Sequence, residues 1–159
     1  MAFLSVVVAF AARALLIMLF LPFSALDKAL NFKSAVGQAA EVTSSRLLAT
    51  IMIFAGFCVE VFMSLAILTG SADRMAALVL AGYCGVTAIL WKQFWKAPDF
   101  RLQGASRGRD TFWDFLKNLA LAGGFLVLAF GASSTGLQTF LTHPFASSHP
   151  YALTEKAGG

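Results

Sequence analysis

The segment Arg46–Gly70 constrains the fold of this chain more than any other. It is one long apolar run, RLLATIMIFAGFCVEVFMSLAILTG, with a single carboxylate, Glu60, near its middle. The hydrocarbon core of a bilayer is about 30 Å thick and is crossed by about 20 apolar residues of α-helix. A carboxylate at that depth costs about 2.5–3.5 kcal/mol on insertion scales, so it normally has a partner or a task. The segment therefore predicts a transmembrane helix with one buried acid.

The composition also indicates an integral membrane protein. Of the 159 residues, 58% are hydrophobic and 13% are charged, whereas an average soluble domain has about 25% charged residues. The basic residues cluster in two loops and are not interleaved with aromatic residues, as they are in many nucleic-acid-binding surfaces. We therefore expect membrane lipids and other membrane subunits as partners, and no nucleic acid.

Four apolar segments are predicted to span the membrane as one all-α domain over residues 1–132, an up-down four-helix bundle. The spans are 3–25, 46–69, 74–94 and 111–132, and residues 133–159 are expected to form an extended tail. Arg13 interrupts what would be the apolar region of a cleaved signal peptide, so the first span is interpreted as a retained helix. Between the first two spans, residues 27–44 alternate polar and apolar residues, which is typical of a short interfacial helix. A plain connecting loop is the alternative.

Small residues at helical spacing are expected where the helices meet, because close backbone approach drives helix packing in lipid. These residues are Gly56, Ala77, Ala81, Gly85, Ala120, Gly123 and Gly124. At the end of the second span, Gly70 is a suitable C-terminal cap. The following turn is short enough to make spans two and three a helical hairpin.

The distribution of basic residues predicts the topology. The first and third connections hold eight basic residues and the opposite side holds two, Arg74 and Lys156, when Arg13 and Lys117 inside the spans are left out. Lys and Arg are enriched in cytoplasmic loops. Both termini are therefore predicted to lie on the periplasmic side. The eight residues are Lys28, Lys33, Arg46, Lys92, Lys96, Arg101, Arg107 and Arg109.

Glu60 and Arg13 are predicted to form an ion pair inside the bundle. Glu60 lies 14 residues after Arg46, and Arg13 lies 14 residues before Asp27. On antiparallel helices these positions have about the same depth, roughly 21 Å from one membrane face at 1.5 Å per residue. Such a pair would either fix which helices meet or form a site for a quinone headgroup or a proton.

Three more side chains are expected at the depth of Glu60. Cys58 and Cys84 lie 12 residues before Gly70 and 13 residues after Ser71, and Tyr83 is adjacent to Cys84. A redox pair is one interpretation of the cysteines, and small apolar packing residues are the other. No CxxC or Cys/His spacing predicts a metal site. A tyrosine hydroxyl beside Glu60 would either bond within the bundle or suit a quinone carbonyl.

The tail contains a short near-repeat, HPFAS from His143 and HPYAL from His149. Two histidines without a third ligand are a weak metal signal. The two prolines and the aromatic residues Phe145 and Tyr151 suit an arm that docks on a neighbouring subunit. A disordered tail is the alternative.

The chain resembles the DoxX-like family over about residues 10–132. The resemblance lies in RALLIMLFLPFSALDKALNF from Arg13, in FCVEVFMSLAILTG with Glu60, in Arg74 after the tight turn, and in the closing helix FLKNLALAGGFLVLAFG. The sequence differs from the family pattern at residues 23–25, where Phe, Ser and Ala replace the usual His-Gly pair. Any role of that histidine is therefore not expected here.

The resemblance implies a four-helix protein of the bacterial inner membrane. Related proteins are linked to thiosulfate:quinone oxidoreductase or to membrane complexes that handle oxidative stress and thiols. We therefore expect an accessory subunit of a membrane redox complex, without catalytic residues of its own, without a covalently bound cofactor, and with quinone or lipid as its ligand. The alternative is a quinone-reactive subunit that uses Glu60 and Arg13. A small transporter would require broken helices, and apart from Pro22 the spans lack such breaks.

Overall fold

The computed structural model describes residues 2–131, 133 and 135–152, except for the side chain of Ala2. All regular structure in this part of the chain is helical, and four of its helices are long and apolar enough to cross a membrane. The α-helices are α1 (Ala2–Ile17), α2 (Ala25–Leu30), α3 (Phe32–Thr43), α4 (Arg46–Thr69), α5 (Asp73–Trp91), α6 (Arg107–Phe130) and α7 (Thr135–Thr142).

The first span is longer than predicted and changes its helical geometry halfway. A π-helical segment, Leu19–Ser24, joins α1 to α2, so the apolar helix extends over Phe3–Leu30. Pro22 lies inside this segment. Proline has no N–H to donate, and its ring clashes with the carbonyl four residues earlier, so the turn widens. The break at Pro22 thus takes the form of a π-helix.

The region predicted as an interfacial segment contains the end of the first span and a separate helix. The chain leaves helical geometry at Asn31, which has a φ of −114°, and α3 begins at the next residue. Ser44 then adopts a left-handed conformation with a φ of 56°. The Ser45 hydroxyl accepts a hydrogen bond from the Leu48 amide and caps α4. Helix α3 packs against the first half of α4, where Val36, Ala39 and Ala49 are buried together.

A very short turn joins α4 to α5. Gly70 ends α4 with a φ of 77°, and Ala72 precedes α5 with a φ of 51°. A positive φ is easily adopted by glycine and costs other residues energy. The predicted glycine cap is therefore confirmed. The two helices leave the turn in contact and remain packed against each other.

Aromatic side chains gather where α5 leads into α6. Phe94 lies in a short 3₁₀ segment, Phe94–Lys96, and its ring contacts those of Trp95, Phe100, Phe112 and Phe115 at centroid distances of 5.0–5.4 Å. The start of α6 is fixed by Asp99, whose carboxylate accepts hydrogen bonds from two amides of the first turn. This contact begins α6 at Arg107, earlier than the predicted Thr111.

Small residues of α5 form the centre of the protein. They pack against three almost completely buried side chains from other helical segments, Phe20, Ile67 and Phe125. The buried apolar residues of α5 are Ala76, Ala77, Leu80, Ala81, Cys84 and Ala88. Four of the small residues predicted to pack do so: Gly56, Ala77 and Ala81 are buried, and Gly124 lies against Leu16. The other three do not pack. Ala120 is exposed, and the space beside Gly85 and Gly123 is open.

The outer surface of the long helices is apolar. Only 17–33% of the most apolar window of each span is buried inside the chain. Large side chains such as Phe54, Phe62 and Ile89 are more than half exposed. An exposed apolar surface of this extent is what a helix needs in lipid. The chain therefore has the structure of a multi-pass membrane protein.

The tail differs from the predicted extended arm. Helix α7 occupies Thr135–Thr142 and places Phe140 against Phe130 of α6, with ring centroids 5.2 Å apart. The chain then continues without regular structure to Ala152. Residues 153–159 of the predicted tail lie outside the described residues.

Candidate functional site

The predicted ion pair between Arg13 and Glu60 is wrong. Arg13 instead pairs with Asp73, the first residue of α5, through a 2.9 Å contact between Nη2 and Oδ2. The Arg13 side chain is 9% exposed and that of Asp73 is completely buried. Glu60 pairs with Lys28 at 2.7 Å between Nζ and Oε1. The structure therefore contains two separate buried ion pairs. The predicted pair combined the cation of one, Arg13, with the carboxylate of the other, Glu60.

The error came from the reference point used for depth. The sequence predicts that the first span ends at residue 25 and that Lys28 belongs to the interfacial segment. The helix instead continues to Leu30, so Lys28 lies on the span itself. Lys28 thus reaches Glu60, and Arg13 lies far enough toward the N-terminus to meet the start of α5.

Glu60 is the centre of the first polar cluster, which we call the Glu60 cluster (Ser24, Lys28, Glu60 and Tyr83). Its Oε1 atom accepts hydrogen bonds from Ser24 Oγ at 2.9 Å, Lys28 Nζ at 2.7 Å and Tyr83 Oη at 2.8 Å. The predicted proximity of Tyr83 and Glu60 is thus confirmed. Glu60 is 1% exposed, so these donors replace water around one carboxylate oxygen.

The π-helical segment explains how two of these donors reach Glu60. Ser24 is its last residue, and Lys28 lies four residues later, on the same face of the helix. Lys28 Nζ also donates to Ser24 Oγ at 2.7 Å. Ser24 lies in the stretch that departs from the DoxX-like pattern, so sequence reasoning gave it no role. The i, i+4 spacing of Ser24 and Lys28 is the sequence pattern that could have indicated that these two side chains lie together.

A large cavity adjoins the Glu60 cluster. Its volume is about 810 Å³, within the range of about 300–1,000 Å³ usual for small-molecule sites. It runs between the first span, α3, α4, α5 and α6. The four members of the Glu60 cluster lie on its wall, together with apolar residues such as Phe20, Ile53, Val59, Val86 and Leu121.

The far end of the cavity carries a second group of charges. Asp114 of α6 contacts Lys92 at 3.2 Å and Lys117 at 3.3 Å. Asp114 is thus shared between Lys92 and Lys117, which lies three residues later on the same helix. These side chains are 38–73% exposed, so this end of the cavity is open. Trp91 and Asn118 line the wall nearby.

The charges along the cavity wall balance each other. Three cations and three carboxylates line it, which gives a net charge of zero: Lys28, Lys92 and Lys117, and Asp27, Glu60 and Asp114. Such a wall does not concentrate anions. It suits a neutral ligand with an apolar body and a hydrogen-bonding headgroup.

The two cysteines and Arg13 do not line this cavity. Cys84 is buried in the core among the small residues of α5, and Cys58 is half-buried. Both are free thiols. Their packing agrees with the interpretation of cysteine as a small apolar residue, and the structure does not join them to the Glu60 cluster.

The tail completes the second polar cluster, formed by Arg13, Asp73 and Ser148. The Ser148 amide donates to Asp73 Oδ1 at 2.9 Å, its hydroxyl donates to Asp73 Oδ2, and Arg13 Nη2 donates to the Ser148 hydroxyl at 2.9 Å. Tyr151 Oη donates to the Leu68 carbonyl. The segment predicted to dock on a neighbouring subunit thus binds its own chain here. Sequence reasoning missed Asp73 and Ser148.

Neither cluster resembles a metal site. In the described residues, no three His, Cys, Asp or Glu side chains lie close enough together to hold a metal ion. Comparison of the chain with protein-family models, with curated proteins and with solved structures finds no match. The geometry of the cavity and the Glu60 cluster is therefore the basis for a functional proposal.

Proposed function

We propose that this chain is an accessory subunit of a bacterial membrane redox complex and that it binds a quinone-class molecule in the cavity beside Glu60. The observation that carries the proposal is the juxtaposition of an 810 Å³ cavity with a carboxylate that is 1% exposed. Buried carboxylates inside membrane spans mark ligand or ion sites more often than they serve packing alone.

The chemistry of the wall favours a quinone over a phospholipid. A quinone has a flat ring with polar atoms at its two ends, and it is neutral. The cavity offers hydrogen-bonding groups at its closed end and apolar side chains along its length. An anionic phospholipid would require an excess of cations, and the wall has equal numbers of both charges.

The architecture in the membrane is part of the same proposal. The four long helices form an up-down bundle of the DoxX-like type, with α3 at the interface. The short Gly70 turn and the contacts of α4 with α5 and of α5 with α6 support this arrangement. The basic loops lie in the cytoplasm of a bacterial inner membrane, which places both termini in the periplasm.

The accessory role is proposed from the positions of the histidines in the sequence. Both of them, His143 and His149, lie in the tail, so the spans provide no histidine pair for haem. Partner subunits would bring the electron-transfer centres. Phe145, which is 70% exposed, is a large apolar side chain of the predicted docking segment that faces outward. Mild-detergent purification from the native membrane is expected to yield a complex, and isolation of this chain alone would contradict the accessory role.

Ligand binding is tested by filling the cavity. Gly56 lines the cavity, and a Cβ atom there would lie 3.2 Å from Tyr83 Oη. In Gly56→Leu we expect quinone affinity to fall by about tenfold or more, because the added side chain takes the ligand's space. The measurement is quenching of tryptophan fluorescence by duroquinone in detergent micelles, since Trp91 lines the cavity.

The control for this test is Gly82→Leu. Gly82 is also helical, but it is exposed and a Cβ atom there would meet nothing within 4 Å. This variant should bind duroquinone like the wild-type protein. Absence of binding of both duroquinone and its reduced form by the wild-type protein, or equal loss in both variants, would contradict the proposed function.

A further inference from the structure

The hydrogen bonds of Glu60 are distributed unequally between its two oxygens. Ser24, Lys28 and Tyr83 all donate to Oε1. Oε2 is equally buried, and none of the described residues donates a hydrogen bond to it. A buried acceptor without a donor costs about 1–3 kcal/mol. The residues around Glu60 therefore supply donors to Oε1 and leave Oε2 without one.

The environment of Oε1 shows which kind of ligand is required. Three donors, one of them an ammonium group, converge on one oxygen, and this arrangement stabilises an ionised carboxylate. An ionised carboxylate only accepts hydrogen bonds. Oε2 thus requires a donor from the ligand, and a group that only accepts would be repelled there.

We infer that the cavity selects the reduced, quinol form of its ligand, with a quinol hydroxyl donating to Glu60 Oε2. This inference rests on the proposed function and adds the redox state of the ligand to it. A quinol has hydroxyl groups that donate and accept, whereas a quinone has carbonyl groups that only accept. The two forms have nearly the same shape, so Glu60 is the specificity-determining residue.

Lys28 does not distinguish the two forms. Its ammonium group has three N–H donors, and the contacts with Ser24 and Glu60 use two of them. The third can donate to a quinone carbonyl or to a quinol hydroxyl oxygen. The contact with Lys28 therefore adds nothing to the difference in affinity between the two redox states, which the inference places at Oε2.

The wild-type protein provides the first test, which involves no change in folding. Duroquinol, duroquinone and the dimethyl ether of duroquinol share one ring but only the quinol donates hydrogen bonds. We expect isothermal titration calorimetry under anaerobic conditions to give an affinity for duroquinol about tenfold or more above those of the other two, the effect of one hydrogen bond to a charged group. Equal affinities would overturn this inference and leave the proposed function standing. Absence of binding by all three would overturn the proposed function itself.

A single isosteric substitution gives the second test. In Glu60→Gln the amide oxygen is expected to face the three donors, which places the NH₂ group where Oε2 lies. The NH₂ group donates hydrogen bonds, which a quinone carbonyl and a quinol hydroxyl oxygen both accept, so the preference for duroquinol should be lost. A preference for duroquinol that survives Glu60→Gln would overturn the inference.

One control separates this effect from general damage. Asp73→Asn makes the same chemical change at the other buried carboxylate, which does not line the cavity, and it should keep the preference for duroquinol. Loss of the preference in Asp73→Asn would contradict the assignment to Oε2.

Discussion

Asp73 and Glu60 are both buried carboxylates that pair with a cation from the first span, but their surroundings differ. Both oxygens of Asp73 accept hydrogen bonds, from Arg13 and from the amide and hydroxyl of Ser148. Glu60 has three donors on one oxygen and none among the described residues on the other. Asp73 is covered by the tail, whereas Glu60 lines a cavity.

This difference separates a structural ion pair from a binding group. A buried carboxylate whose two oxygens both accept hydrogen bonds from its own chain holds helices together through its ion pair. A buried acceptor that remains incomplete costs stability unless a ligand completes it. We therefore propose that the Arg13–Asp73–Ser148 cluster serves folding and that the Glu60 cluster serves binding.

The largest expected effect on stability is that of Arg13→Met. Removal of the cation leaves Asp73 buried without its charge partner, which costs about 3–5 kcal/mol. The free energy of unfolding, measured by SDS titration in mixed micelles, should fall by this amount, and duroquinol affinity should not change. Arg107→Met, at an exposed position, is the matched control. A loss of stability similar to that of the control would contradict the structural role of the pair.

The Lys28–Glu60 pair should show strong non-additivity. Lys28→Met alone should cost about 3 kcal/mol, at the lower end for a buried pair because the lysine side chain is 15% exposed. The double variant Lys28→Met/Glu60→Leu should recover to within about 1 kcal/mol of the wild type, since no buried charge remains. Its affinity for duroquinol should nevertheless be lost. Additive losses in the unfolding free energy would show that the two side chains do not interact.

Gly70→Ala tests how the tail is held over Asp73. Gly70 has a φ of 77°, and a Cβ atom there would lie 2.9 Å from Pro150 Cδ. The left-handed conformation alone costs alanine about 1–2 kcal/mol, and Pro150 would also have to move. The unfolding free energy should fall accordingly. Gly82→Ala, in a helix with open space around it, should raise it by about 0.5–1 kcal/mol. Equal effects of the two variants would contradict the contact between the turn and the tail.

The smallest expected effect is that of Ser148→Ala. The variant loses the side-chain hydrogen bonds to Asp73 and Arg13 but keeps the backbone bond from the Ser148 amide. The net loss should be about 1 kcal/mol. Ser147→Ala is the matched control, since the Ser147 hydroxyl bonds only locally, to the His149 amide. Equal stability of both variants would show that the tail contributes nothing to the Arg13–Asp73 pair.

The location of the membrane spans was predictable because each helix in lipid must satisfy its own backbone hydrogen bonds. Because of this requirement, the length of an apolar segment shows whether it can span the membrane. Helix α4 covers the predicted residues 46–69. The end of the first span was less predictable. Lys28 and Asp27 look like residues at a membrane boundary, but the helix continues through them to Leu30.

The partners of the buried charges were not predictable in the same way. Sequence spacing gives the depth of a residue along a straight helix, but it gives neither the tilt nor the rotation of that helix. The π-helical turn at Pro22 changes the tilt and the rotation of the helix at Ser24 and Lys28. The contact of Ser148 with Asp73 joins residues 75 positions apart, and no local pattern indicates such a pairing.

The sequence by itself determined that the chain is helical, that it has four apolar spans, and that Glu60 and Arg13 each require a buried partner. These are consequences of composition and of the energy of a charge in a low dielectric. Only the tertiary structure decided which partner each charge received and that Glu60, rather than Arg13, faces a cavity. The reason is that pairing depends on helix rotation and on the return of the tail, and both are set by packing across the whole chain.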